Sequence, residues 1–181
     1  MINQNESAIR LASELQFDSI VDGPGLRTVI WTQGCIHNCK GCHNPQTHSF
    51  TGGFMFPIQD IITQLQSVDQ NVTFSGGDPM LQPKQCLAIA KEIKRLGRNI
   101  WVYTGFTFEY LLNSSEHRAF LECIDVLVDG KFDEKEKTSE CKFRGSKNQR
   151  LIDVQKSLKS NSIVLWEDEM DRFQRRSFEL I

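Results

Sequence analysis

Four short β-branched or aromatic segments recur along this chain at helix-length intervals, and each stops at a glycine or a polar loop. Arg27–Thr32 (RTVIWT) lies between Gly-Pro-Gly and Gly34, Asn71–Phe74 stops at Gly76-Gly77, Asn99–Tyr103 closes at Gly105, and Asp125–Val128 ends at Asp129-Gly130. Between them, Ile58, Ile61, Ile62 and Leu65 mark one helical stripe behind Pro57. Cys86, Leu87, Ile89, Ala90, Ile93 and Leu96 mark a second over Pro83–Leu96, with Gly97 as its stop. Phe108–Leu112 and Glu116–Cys123 are further helical stretches, while Ala8–Leu15 fits strand or helix. Strands alternating with helices predict an α/β fold with a parallel sheet and crossover connections. The strand count predicts an open, partial parallel (β/α) barrel of five or six strands, because a closed eight-stranded barrel typically takes ~250 residues. No repeat, low-complexity tract or linker divides the 181 residues, so one domain is expected over 1–181.

Charge excludes some functions. Lys and Arg number 21 against 23 Asp and Glu, a net charge of −2, which is no footprint for nucleic acid. No stretch reaches the ~18–20 apolar residues of a membrane span, and the first residues lack a basic start followed by an apolar run. A cytoplasmic protein with no membrane partner is expected. Its six cysteines are then thiols, and close spacing among them points to metal or redox chemistry.

Cys35, Cys39 and Cys42 in GCIHNCKGCHN place three thiols in one tight loop after a strand. Three sulfurs suffice for three irons of a cubane cluster and leave the fourth open to a substrate. The same spacing also suits structural zinc, with His37, His43 or His48 as fourth ligand. One helix further on, Phe74-Ser75-Gly76-Gly77-Asp78-Pro79 runs a strand into two glycines and an acid. Bare backbone there can hold a small zwitterion, although Gly-Gly-Asp-Pro is equally ordinary turn chemistry. All these polar pieces follow strands, at the edge where parallel α/β folds bind ligands.

These residues resemble the radical S-adenosylmethionine (SAM) enzymes, whose C-x3-C-x2-C loop holds a [4Fe-4S] cluster and whose Gly-Gly-acid motif holds the methionine part of SAM. Val21–Arg27 (VDGPGLR) is similar to the glycyl-radical activating enzymes within that group. Thr32–His48, Phe74–Met80, Ile100–Phe106, Val126–Phe132 and Phe143–Val154 resemble the activases of anaerobic (class III) ribonucleotide reductase. Together they cover most of residues 17–154 in the family's order. Gly41 before the last cysteine, where many radical SAM enzymes carry an aromatic residue, and Asp78 in place of the commoner Glu follow the reductase activases too.

The resemblance implies an oxidoreductase that cleaves SAM reductively at one [4Fe-4S] cluster per chain. The resulting 5′-deoxyadenosyl radical would take hydrogen from a glycine of the reductase large subunit and leave its glycyl radical. Reduced flavodoxin or a similar donor would supply the electron. Carried over by position, Cys35, Cys39 and Cys42 are the cluster ligands, and Gly41, Cys42 and His43 pass SAM through the loop. Gly77, with Gly76 and Asp78 beside it, meets the methionine amine. Thr104-Gly105 and the Asp129/Lys131 pair face the adenosine or the incoming glycyl loop, with a turn and a surface ion pair as alternatives. No conventional general base is expected, since cluster and SAM carry the chemistry. Two other functions stay open: activation of another glycyl-radical enzyme such as pyruvate formate-lyase, and a zinc-stabilised binding module. No role follows for Arg144, Asn148, Gln149, Cys86, Cys123 or Cys141, nor for residues 155–181, where Ile163–Trp166 is strand-like.

Overall fold

The computed structural model describes residues 7–168. Eight strands form one open sheet: β1 (Ala8–Leu11), β2 (Gln16–Ser19), β3 (Arg27–Thr32), β4 (Phe54–Pro57), β5 (Asn71–Gly76), β6 (Ile100–Tyr103), β7 (Val126–Asp129) and β8 (Arg150–Asp153). Their order is β4-β1-β3-β5-β6-β7-β8, with β2 also paired to β3. Only the central run β3-β5-β6-β7 is parallel. Strands β1, β2, β4 and β8 add to it antiparallel. This corrects the expected five or six parallel strands: the four predicted central ones are present, and antiparallel strands flank them on both sides.

β1 falls within Ala8–Leu15, read from the sequence as strand or helix, whereas β2, β4 and β8 escaped that reading. β2 and β4 are four residues each and almost wholly exposed, so they lack the alternation of a half-buried strand. β2 is further broken by a register shift, with Asp18 at φ 60. The strand-like Ile163–Trp166 reduces to an isolated bridge between Leu165 and Ile152. Residues 169–181 of the expected C-terminal extension lie outside the described residues.

Five α-helices among the described residues connect the sheet: α1 (Ile58–Gln66), α2 (Pro83–Arg95), α3 (Phe108–Leu111), α4 (Ser115–Leu121) and α5 (Val154–Ser160). The predicted stripes mostly bury, through Ile58, Ile61 and Leu65 on α1 and Cys86, Ile89, Ala90 and Ile93 on α2, while Ile62 and Leu87 are partly buried and Leu96, at the C-terminal end of α2, is exposed. The buried residues pack on Ile30, Phe74 and Val102 of the central strands in one apolar cluster extending from Ile9 to Val154. Cys86, fully buried there, is a small apolar core residue whose thiol burial pushes far above its ordinary range. No helix among the described residues is long and apolar enough to cross a membrane.

The VDGPGLR motif works at the N-terminal end of β3. Arg27 is fully buried, its guanidinium donating to the Thr73 hydroxyl, the Val72 carbonyl and the Asn99 side chain at 2.7–3.1 Å, and stacked on Trp101. Burial lowers its pKa to about 10. A β-carbon on Gly23 would meet the Arg27 side chain at 2.9 Å and Trp101 at 3.1 Å, so a glycine is required there. The motif seals the end of the sheet opposite the cysteine loop.

Candidate active site

β3 delivers the chain directly into the cysteine loop. Gly34 N–H donates to the Thr47 carbonyl at 2.8 Å and Cys35 N–H to the His48 carbonyl at 3.1 Å, which closes the loop at its neck. Inside it, Cys42 N–H bonds the Cys39 carbonyl at 3.2 Å. Gly41, third residue of that turn, has φ +73, the conformation a type II turn demands of this position. Cys35, Cys39 and Cys42 are free, half-buried thiols. Backbone N–H groups point at all three sulfurs: His37 and Asn38 at Cys35, Phe132 at Cys39, and Asn44 at Cys42, the last at 3.4 Å. Burial pushes the Cys35 and Cys39 thiols above their ordinary range, with these N–H groups working against it.

Across the cleft, β5 approaches β3 so closely that side chains are excluded. Gly77 N–H donates to the Thr32 carbonyl at 2.7 Å and Asp78 N–H to the Gly34 carbonyl at 2.8 Å. A β-carbon on Gly76 would meet Thr32 O at 2.5 Å, and one on Gly77 would fall on Gly34 O. Asp78 then turns inward and is 1% exposed. Its carboxylate accepts from Met80 N–H at 3.0 Å, the Thr104 hydroxyl at 2.9 Å, Gly105 N–H at 2.9 Å and His37 Nε2 at 2.9 Å.

The far wall comes from the end of β7 and from residues 143–149. Gln149 donates to the Gly130 carbonyl at 3.1 Å and accepts from Gly145 N–H at 2.9 Å, folding that segment against the cleft. A β-carbon on Gly145 would meet Phe132 at 3.0 Å and His43 at 3.1 Å, whose own rings sit 5.0 Å apart. Behind this wall, buried Asp129 accepts from Nε and Nη2 on one edge of the Arg150 guanidinium and from Phe108 N–H at 2.8 Å. Arg150 also forks onto Glu109 at 2.8 and 3.0 Å.

That second fork sets a pH dependence. Hydrogen bonds from Arg150 hold the Glu109 carboxyl below its ordinary 4.5, so its stabilisation is present above that value and fades as pH falls through the depressed one. Because Glu109 is 57% exposed, Glu109→Gln is expected to cost under ~1 kcal/mol at neutral pH. The difference from wild type should close in acid, measured as urea unfolding against pH.

Cys35, Cys39 and Cys42 line this cleft together with Gly76, Gly77, Thr104, Gly130 and Gln149. A protein-family model described as a 4Fe-4S single cluster domain matches residues 21–152. The anaerobic ribonucleoside-triphosphate reductase-activating protein of Haemophilus influenzae is 37% identical over 140 residues, covering 72% of this chain and 89% of the relative. Those of Vibrio cholerae and Escherichia coli K12 are 37% and 38% identical over 141 residues, covering 72% of this chain and 89% and 90% of the relatives. The chain belongs to the anaerobic ribonucleoside-triphosphate reductase-activating protein family. It is an activating enzyme with an iron–sulfur cofactor, which sets aside the zinc-stabilised module. A solved structure of QueE from Escherichia coli aligns over 57% of this chain and 55% of its own at TM-score 0.46 and 16% identity, too distant to bear on fold or function.

Within this activating-protein family fold, the residues expected at the ligand divide. Cys42, His43, Gly76, Gly77 and Thr104 line the cleft. Four others do not. Gly41 faces outward, where a β-carbon would meet Glu134 Oε1 at 3.0 Å. Asp78 is spent on internal donors, and Asp129 pairs with Arg150 rather than with Lys131. Lys131 is exposed outside the lining, although its charge works to lower the Cys39 thiol. Sequence reasoning missed Phe132, Gly145 and Gln149 as walls. The resemblance of Phe143–Val154 flagged the segment, but nothing local to it says what it packs against.

Proposed function

We propose that this chain activates an anaerobic ribonucleoside-triphosphate reductase through a [4Fe-4S] cluster held by Cys35, Cys39 and Cys42 and SAM bound in the adjoining cleft. The observation that carries this is the meeting of the cysteine loop with the Gly76-Gly77 strand end in one cleft. The donor set fits: three soft thiols suit an iron–sulfur cluster and leave one iron without a protein ligand. The cleft wall opposite is bare backbone at Gly76 and Gly77, which leaves room for a second group at that iron.

When bound, the cluster and SAM supply the one-electron chemistry that ends in removal of a hydrogen atom from a glycine of the reductase. The chain's residues hold and shield. Gly77 N–H is committed to Thr32, so this strand end offers carbonyl oxygens, and carbonyls accept from an ammonium group such as that of methionine. His43 and Phe132 meet with tilted rings in the cleft wall, and buried Thr104 lines it beside them. Reduced flavodoxin or a similar donor supplies the electron. A partial barrel of the radical SAM type belongs to the same reading, supported by the parallel run β3-β5-β6-β7, whose C-terminal ends carry the cleft.

The test is anaerobic reconstitution with iron and sulfide, then electron paramagnetic resonance of the reduced protein with and without SAM. About four irons per chain are expected, with a reduced-cluster signal that shifts on adding SAM and is lost in Cys39→Ala. A cluster signal indifferent to SAM would overturn the SAM assignment.

A further inference from the structure

We infer that His37 is a positioning residue that locks the cysteine loop to the two strand ends facing it, using Asp78 as the shared anchor. The inference rests on the cluster and SAM assignments proposed above. His37 lies between Cys35 and Cys39, yet its side chain is only 6% exposed, turned away from solvent into the strand ends. Its Nε2 donates to Asp78 Oδ2 at 2.9 Å. Its ring lies on Gly105, where any β-carbon would collide with it, and meets the edge of Phe106 at 4.6 Å and 73°. Gly105, which lines the cleft together with His37, therefore also has to stay without a side chain to seat the His37 ring beside Asp78.

The anchor gathers three elements. Asp78 takes donors from its own turn (Met80 N–H), from the end of β6 (Thr104 hydroxyl and Gly105 N–H) and from the cysteine loop (His37). Its side chain is 0% exposed, so water cannot replace a donor that is removed. By contrast, the ion pair that Lys40 of the same loop makes with Glu134 is exposed and screened. Beyond the backbone bond from Asp78 N–H to the Gly34 carbonyl at its neck, the stretch carrying Cys35 and Cys39 is thus held at a fixed offset from Gly76-Gly77 and Thr104 by this buried side-chain bond. Losing it leaves the three thiols in place and frees their alignment to the cleft.

Two substitutions separate the bond from the packing. His37→Phe keeps a ring against Gly105 and Phe106 but donates nothing, whereas His37→Gln keeps an N–H donor. After anaerobic reconstitution, His37→Phe should hold as much iron as wild type, while the SAM concentration for half the spectroscopic change rises about tenfold or more, the scale of a lost charge-assisted hydrogen bond. His37→Gln should recover most of that. In the cluster-free protein, amides of residues 35–44 should exchange hydrogen faster in His37→Phe than in wild type or His37→Gln, with α2 unchanged. Equal half-saturation in wild type and His37→Phe, loss of iron in both variants alike, or unchanged exchange in the loop would each overturn the lock. A wild-type cluster that ignores SAM would instead sink the SAM assignment, leaving the exchange measurement to decide the lock alone.

Discussion

Replacing Gly77 with alanine is expected to lower the melting temperature of the cluster-free protein by roughly 6–12 °C and to abolish the response of the reconstituted cluster to SAM. The new methyl group would land on the Gly34 carbonyl oxygen, a backbone atom that no rotamer change can move. Room appears only if the end of β5 retreats from β3, which breaks the bonds from Gly77 N–H to Thr32 O and from Asp78 N–H to Gly34 O. Overpacking of this kind costs up to about 3 kcal/mol. Cys35 follows Gly34 directly, so the retreat also displaces the cysteine loop from the strand end it faces. Gly97→Ala is the control. Gly97 has φ +74 and nothing within 4 Å of an added β-carbon, so only backbone strain of ~1–2 kcal/mol is incurred and the SAM response survives. Identical melting of Gly77→Ala and wild type would show that the strand ends are not clamped as described.

Arg150→Met is expected to destabilise the protein by about 3 kcal/mol, near the low end for stranding one member of a buried ion pair. Asp129 is 1% exposed and depends on Arg150 for its counter-charge, with Phe108 N–H left as its remaining donor. The reciprocal change, Asp129→Asn, should cost less. It leaves a cation that is one-third exposed and still bridged to Glu109, not an anion sealed in the core. The double variant should recover part of the Arg150→Met loss, since a buried pair replaced as a whole costs little. Urea unfolding of the three variants measures this, and equal losses in both single variants would contradict the asymmetry. Neither residue lines the cleft, so iron binding should persist in all three.

Much of the scaffold was legible because it is written in consecutive residues. The β-branched and aromatic run Arg27–Thr32 is β3 residue for residue, and most of the 3.6-residue stripes of α1 and α2 bury. The cysteine loop was legible for the same reason, since Cys35, Cys39 and Cys42 fall within eight consecutive residues that contain a glycine turn, and all three line one cleft. The direction of the polar side chains was not. Asp78 follows the two glycines and was expected at the ligand, but its partners stand 26, 27 and 41 residues away and close around it from three elements. Asp129 and Lys131 look like a pair two residues apart, yet antiparallel β7 and β8 set Asp129 opposite Arg150.

By itself, then, the sequence determined the central strands, the helices between them, the loop that carries the thiols and the chemistry three thiols can support. Only the tertiary structure decided which strand ends meet, that antiparallel strands complete the sheet on both flanks, and that Asp78 and His37 tie the loop down. Periodicity is a property of neighbouring residues and survives in any context. A side chain's hydrogen-bond partner depends on pairing register and on burial, which makes an unmet carboxylate costly and so turns it toward whatever donors the fold has brought within reach.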